Sequence, residues 1–210
     1  MKDNNSALAW NAIWLDENGI KTWRTYPTTF KVICGIVGIG NKVLEVGCGV
    51  GLLANKLKLS GNDVTGLDIS PFAINTMKQE FGIDGIIHDA RVLPLPFPDG
   101  AFDWVIATEF LEHFTPEDAE KIVADISRIS RRAVFCVPHN TLPPSEIKEH
   151  LNIFTPLSLE AMVKKHFKFC KFGGFNDIFE TTIDPPVIKL QVLVARCSQT
   201  DDTKEMEEHP

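Results

Sequence analysis

The sequence has no uninterrupted apolar run of about 18 residues, so no membrane-spanning helix is expected. No apolar stretch follows the polar N-terminus M-K-D-N-N-S, so no secretory leader is expected either. No C-x-x-C pair occurs. Cys34, Cys48, Cys136, Cys170 and Cys197 are scattered, which argues for reduced cytoplasmic thiols and against a disulfide framework or a zinc site. Basic charge is in deficit, 21 Lys and Arg against 28 Asp and Glu, for a net charge of −7. Nucleic acid is therefore not an expected partner. No internal repeat is evident. What remains is ordinary for one soluble domain with a sizeable core: 210 residues, 44% hydrophobic and 23% charged.

The most informative stretch runs from Lys42 to Ser70. Val43, Leu44 and Val46 form a short apolar strand of the kind buried on both faces. Gly47, Gly49 and Gly51 follow, in a turn that lets backbone approach a ligand closely. Leu52, Leu53 and Leu57 share one face of the next helix, and Gly61 closes it. A second strand at 64–67 ends in Asp68. This βαβ unit carries an acid about 20 residues past the first glycine, where such an acid meets ribose hydroxyls. The nicotinamide pattern G-x-G-x-x-G would need a third glycine at position 52, which is Leu52. The pattern here is instead E-x-G-x-G-x-G from Glu45 to Gly51. Glu45 suits a cationic ligand group better than a pyrophosphate.

Ahead of this unit, 7–16 and 28–37 predict helices. Trp10 and Trp14 share a face of the first, with Trp23 and Tyr26 close behind. These aromatics either form a lid over an acceptor pocket or staple the preface to the sheet. Behind the unit, Ser70, Pro71 and Gly82 frame a helix. Strands are expected at 83–88, 102–107 and 133–137, with the proline-rich 93–100 as a loop. Thr115, Pro116 and Asp118 open a helix with a capping box. Arg128, Arg131 and Arg132 complement its dipole. Another helix begins at Thr155-Pro156, and strands at 169–175 and 187–195 close the sheet. The tail from Ser198 is acidic and expected to be disordered.

Three stretches together resemble the class I S-adenosylmethionine-dependent methyltransferases: 42–70, 88–114 (H-D-A-R-V-L-P-L-P-F-P-D-G-A-F-D-W-V-I-A-T-E-F-L-E-H-F) and 149–156 (E-H-L-N-I-F-T-P). The resemblance covers about 41–195. It implies an α/β, three-layer Rossmann-like fold with a mostly parallel seven-stranded sheet, order 3-2-1-4-5-7-6, and an antiparallel last strand. It also divides the chain into a helical preface or lid at 1–40, the cofactor-binding methyltransferase domain at 41–197 and the tail at 198–210. The implied cofactor is S-adenosyl-L-methionine, leaving as S-adenosyl-L-homocysteine. Asp68 would bind the ribose, Asp89 and the Ala90 amide the adenine, and Glu45 the methionine ammonium. Ile69 would pack on the adenine. The backbone of Gly47, Gly49 and Thr108 would line the methionine end, and Cys48 and Gly51 belong to the same cofactor-binding turn.

Methyl transfer from a sulfonium is an in-line displacement, so alignment and exclusion of water supply most of the catalysis. A base is required only where the acceptor keeps its proton near neutral pH. His113, His139 and Glu109, at the ends of the fourth and fifth strands, are the candidates. Asp184-Pro185-Pro186-Val187 is similar to the D-P-P-aromatic motif of amine methyltransferases, but it precedes the last strand and ends in valine, which argues against such targets. The expected function is methyl transfer to a small-molecule oxygen, nitrogen or carbon. The alternative is a cofactor-binding partner or sensor without catalysis.

Overall fold

The computed structural model describes residues 5–14, 26–139, 149–180 and 187–201. Trp23, the 184–186 part of the D-P-P stretch and most of the acidic tail lie outside them. The strands are β1 (Lys42–Val46), β2 (Asp63–Asp68), β3 (Asp84–Ile87), β4 (Phe102–Thr108), β5 (Ser130–Pro138), β6 (Phe169–Glu180) and β7 (Val187–Ser198). They form a seven-stranded sheet in the order β3-β2-β1-β4-β5-β7-β6. The first five pair in parallel, and β7 runs antiparallel to both β5 and β6. The helices are α1 (Ala7–Trp14), α2 (Pro27–Val37), α3 (Leu52–Leu59), α4 (Pro71–Phe81), α5 (Pro116–Ile129) and α6 (Pro156–Val163). A 3₁₀ turn spans Leu111–His113.

The central strands are apolar on both sides because helices cover both faces. Successive residues of β1 and β4 feed opposite layers. Leu44 and Val105 join a cluster with Ile122, Ile126 and Leu159 from α5 and α6. Val43, Trp104 and Ile106 join Ile33, Leu57 and Met77 from α2, α3 and α4. Each large side chain so buried contributes roughly 1.5–3 kcal/mol. Glycine leaves room for this packing at Gly85, where a Cβ would lie 2.7 Å from Met77 Cε.

The helix starts follow their side chains. The Ser70 hydroxyl accepts from the Ala73 amide at 3.1 Å, and Pro71 takes the first position. Thr155 and Ser158 form a reciprocal capping box on α6. At α5 the Thr115 hydroxyl accepts from the Asp118 amide at 3.2 Å. The reciprocal Asp118 bond does not form there: its side chain sits near Lys121, 3.9 Å away.

Two expectations are corrected. Strand β5 begins at Ser130, so Arg131 and Arg132 are strand residues, not helix-end cations. Arg132 instead stacks over the Trp104 ring at 5.1 Å. Arg128 does end α5, but it works on the proline loop. It donates to Asp125 at 2.6 Å, to Asp99 at 2.8 Å and to the carbonyls of Phe97 and Leu95 at 2.9 and 3.2 Å. Strand β6 also runs to Glu180, five residues past the expected end, paired with β7 throughout.

Helix α1 buries no residue completely. It docks on the start of α4 through Asn11, whose Oδ1 accepts from Ser70 Oγ at 2.5 Å. Its tryptophans therefore do not build the sheet core. They face the carboxyl ends of the strands.

Candidate active site

A cavity of about 470 Å³ opens where β1, β2, β3 and β4 end. Ligands in open α/β sheets bind at this edge, and the volume is that of a small-molecule site. Most of the expected site residues line it: Glu45, Gly47, Cys48, Gly49, Asp68, Ile69, Asp89, Ala90, Thr108, Glu109 and His113.

Asp68, at the end of β2, is 9% exposed. Its Oδ2 accepts from the Gly49 amide at 2.9 Å and its Oδ1 from the Ser70 amide at 2.8 Å. One carboxylate thus holds the glycine turn against the start of α4. Burial pushes its pKa up, and the backbone donors oppose that shift. Gly47 and Gly49 have φ of 73° and 51°. A Cβ on Gly47 would lie 2.4 Å from the Phe110 ring, and one on Gly49 would lie 2.7 Å from the Trp14 ring. The absence of a side chain at both glycines is thus what lets the two aromatic rings pack against the turn. Gly51 does not line the cavity. It begins α3 at φ 84°, and the Met77 side chain occupies the place of a Cβ.

Glu45 lies inside β1 and is 5% exposed. Its Oε2 is buried without a hydrogen-bond partner. Desolvation pushes its pKa up to about 8, opposed by the Ala54 amide and reinforced by Asp68. An unpaired buried carboxyl in a cavity wall is a ready partner for an ammonium group. The Cys48 thiol is pushed well above its ordinary pKa by burial and by the two nearby acids, so it stays protonated and unreactive.

Asp89 faces the cavity already engaged. Arg91 Nε donates to Oδ1 at 3.0 Å and an Arg91 terminal nitrogen to Oδ2 at 2.7 Å. Burial works against its charge, but the Arg91 bonds win and hold Asp89 below the usual carboxylate range. Its acceptor capacity for a ligand amine is therefore shared with Arg91.

The three candidate bases separate. His139 bridges to Phe154 in a parallel pairing and is not part of the cavity lining. Glu109 follows β4 with φ of 49°, a strained backbone for a residue with a side chain. His113 lies in the lining, edge-on to Trp10 at 4.8 Å. Its Nδ1–H donates to the Glu149 carbonyl at 3.1 Å. Asn5 Nδ2 bonds the His113 and Glu149 carbonyls at 2.9 and 3.1 Å, tying the start of the chain to this corner.

Sequence reasoning did not single out Glu112, His150 or Phe110, yet all three line the cavity. Glu112 is 1% exposed, and desolvation followed by the charge of Glu109 pushes its pKa well up. The signal was present in T-E-F-L-E-H and E-H-L-N, two stretches that the fold brings side by side. The amides of Leu151 and Asn152 both donate to the Glu112 carbonyl, at 2.8 and 3.1 Å.

A glycine turn under a parallel sheet edge, an acid at the end of β2 and an aromatic wall lie together at the edge where Rossmann-like sheets hold their ligands. Comparison with known proteins agrees. Residues 44–137 match the family model of the methyltransferase domain. A ubiquinone biosynthesis O-methyltransferase of Chromobacterium violaceum is 37% identical over 95 residues, covering 43% of this chain and 40% of that protein. An uncharacterised methyltransferase of Synechocystis is 35% identical over 94 residues, covering 43% and 42%. The aligned part of the chain thus spans about two fifths of these curated relatives. A solved structure from work on the conversion of a disulfide bond into a thioacetal group during echinomycin biosynthesis superimposes with TM-score 0.74 at 17% identity, covering 96% of each chain. Residues 44–137 are thus similar to a methyltransferase domain, the whole chain has the fold of Rossmann-like methyltransferases, and the findings support S-adenosylmethionine as the cofactor.

Proposed function

We propose that this protein transfers the methyl group of S-adenosylmethionine to a small, partly apolar acceptor. The observation that carries this reading is the continuity of the cavity. One space runs from the polar groups of Glu45, Asp68 and Asp89 to the aromatic and histidine corner formed by Trp10, Phe110 and His113. The first set suits the ammonium, ribose and adenine of the cofactor. The second suits an acceptor held against the methyl group. S-adenosylmethionine brings an already activated methyl group, and the residues present fit it: Glu45 offers an unpaired buried oxygen in the cavity wall, and Asp68 and Asp89 line the same space.

The protein's share of the catalysis is alignment and exclusion of water. Well-oriented reactants gain about 7–11 kcal/mol relative to free encounter. Trp10, Trp14 and Phe110 provide rigid walls for that alignment. In this reading α1 acts as the lid of the acceptor side, and the polar corner at Glu109, Glu112, His113 and His150 receives the reacting acceptor atom. The ubiquinone relative, named as an O-methyltransferase, supports an oxygen among the possible acceptor atoms.

The test is turnover with methyl-labelled S-adenosylmethionine and a panel of small phenols, carboxylic acids and amines. Acceptor-dependent release of S-adenosylhomocysteine is expected with the hydroxylated members. Cofactor binding with no acceptor-dependent release across aromatic and aliphatic panels would favour the cofactor-binding partner or sensor.

A further inference from the structure

The acceptor corner contains a grouping that methyl transfer alone does not require. The carboxylate of Glu112, an imidazole nitrogen of His113 and one of His150 all lie within 4.8 Å of one another. Glu112 is 1% exposed, and neither of its oxygens has a hydrogen-bond partner. A buried carboxylate in that state is costly, and native structures satisfy such groups with a partner. Its Oε1 lies 3.9 Å from His113 Nε2, so it points at the ring nitrogen that faces the cluster.

The surroundings hold these groups in a ligand-like pose. His113 gives its Nδ1–H to the Glu149 carbonyl at 3.1 Å, which places Nε2 on the side of Glu112, 3.9 Å from its Oε1. Metal-binding histidines are commonly oriented in this manner, by a carbonyl on the far nitrogen. His150 packs edge-on to His113 with ring centroids 5.2 Å apart. The backbone directly after it is held to the Glu112 carbonyl by the amides of Leu151 and Asn152. Ligands of a tetrahedral zinc ion with bonds of about 2.0–2.1 Å stand roughly 3.3 Å apart. The donor atoms, up to 4.8 Å apart, need to draw in by about 1.5 Å to reach that spacing.

We propose that Glu112, His113 and His150 bind one divalent transition-metal ion of the zinc class at the acceptor end of the cavity, and that the acceptor presents a hydroxyl group to that ion. This rests on the methyl-transfer reading above. Two imidazoles and one carboxylate suit zinc, cobalt, manganese or iron rather than calcium or magnesium. Three protein ligands leave a position open on the cavity side, as in catalytic sites. The ion acts as a Lewis acid and lowers the pKa of the acceptor hydroxyl. Its proton passes to solvent water. The oxygen lone pair then forms the O–C bond with the methyl carbon, the C–S bond breaks, and its electron pair stays on the sulfur as a neutral thioether.

The full chain, cleared of metal with a chelator, is titrated with Co²⁺ and followed by visible absorbance and bound-cobalt analysis. Wild type, Glu112→Gln and His150→Ala are compared, each checked by circular dichroism and by calorimetric binding of S-adenosylmethionine. One ion per chain is expected to bind wild type and to bind both variants at least about tenfold more weakly. Cobalt held by cysteines elsewhere is common to all three proteins and cancels in the difference. Unchanged uptake by His150→Ala, or no uptake by wild type, overturns the site. If Glu112→Gln fails to fold, His150→Ala together with His113→Asn decides the matter. Wild type that binds cofactor without cobalt defeats only the metal site, whereas wild type that binds no cofactor defeats the methyl-transfer reading itself.

Discussion

Replacing Glu45 with glutamine should have opposite effects on stability and on cofactor binding. The carboxyl is 5% exposed, and its pKa is pushed up to about 8, mainly by desolvation. At pH 7 a group with that pKa is about 90% protonated. The folded value lies above the unfolded one, so the group's contribution to stability is fully present below the ordinary value of 4.5 and is lost as pH rises through about 8. The charged form therefore costs the unliganded fold on the order of 3–5 kcal/mol at pH above 8. Glu45→Gln removes that cost and should raise the melting temperature at pH 8 to 9, with little change at pH 4.5. A cationic cofactor group reverses the balance by favouring the carboxylate. Binding at pH 7 should then release about 0.9 proton from Glu45, and the dissociation constant should fall by up to about tenfold per pH unit until about pH 8. In Glu45→Gln both signals should vanish, and affinity above pH 8 should drop about tenfold to a hundredfold, the worth of a charged hydrogen bond of roughly 1.5–3 kcal/mol. Calorimetry in two buffers of different ionisation enthalpy measures the proton count directly. Equal pH dependence in wild type and Glu45→Gln would refute the reasoning.

Asp68→Asn should weaken cofactor binding about tenfold to several hundredfold in a titration. Asp68→Ala should in addition lower the melting temperature, because Asp68 anchors the Gly49 and Ser70 amides. Gly49→Ala should cut cofactor affinity at least about tenfold in the same assay, since its Cβ would lie 2.7 Å from the Trp14 ring at a φ of 51°. Arg128→Ala should destabilise the fold by about 1–3 kcal/mol, read by denaturant midpoint, because it frees the Leu95 and Phe97 carbonyls and two carboxylates. Deleting residues 1–14 should leave the circular dichroism intact and abolish turnover, because α1 buries no residue completely.

The half of the cavity that the proposal gives to the cofactor was legible in the sequence because its geometry is local. A strand, a glycine turn and an acid within one βαβ unit place Glu45, Gly47, Gly49 and Asp68 without reference to distant residues. The sheet order followed from the resemblance and was found as expected. The acceptor half depends on contacts across long separations. His113 meets Glu149 and His150 only because the chain returns after β5, and Glu112 reads as an ordinary surface acid until its burial is known. Arg131 and Arg132 misled for a related reason. Cations after a helix suggest its end, and only the strand pairing shows both to lie in β5, with Arg132 opposite Trp104 and over its ring. Position alone placed His139 with His113 as a candidate base; in the fold the His139 backbone bridges to Phe154, and among the described residues it is His113 that lines the cavity.

The most direct test of the account is thermal unfolding of the full chain with S-adenosylmethionine, S-adenosylhomocysteine or NAD, each at about 100 times the dissociation constant of the tighter binder. A ligand that binds only the native state adds about 2.7 kcal/mol there, which for a chain of this size raises the melting temperature by roughly 5–10 °C. The account predicts that rise for S-adenosylmethionine and S-adenosylhomocysteine and none for NAD. An equal rise with NAD, or no rise with either methyl-cycle ligand, would contradict it.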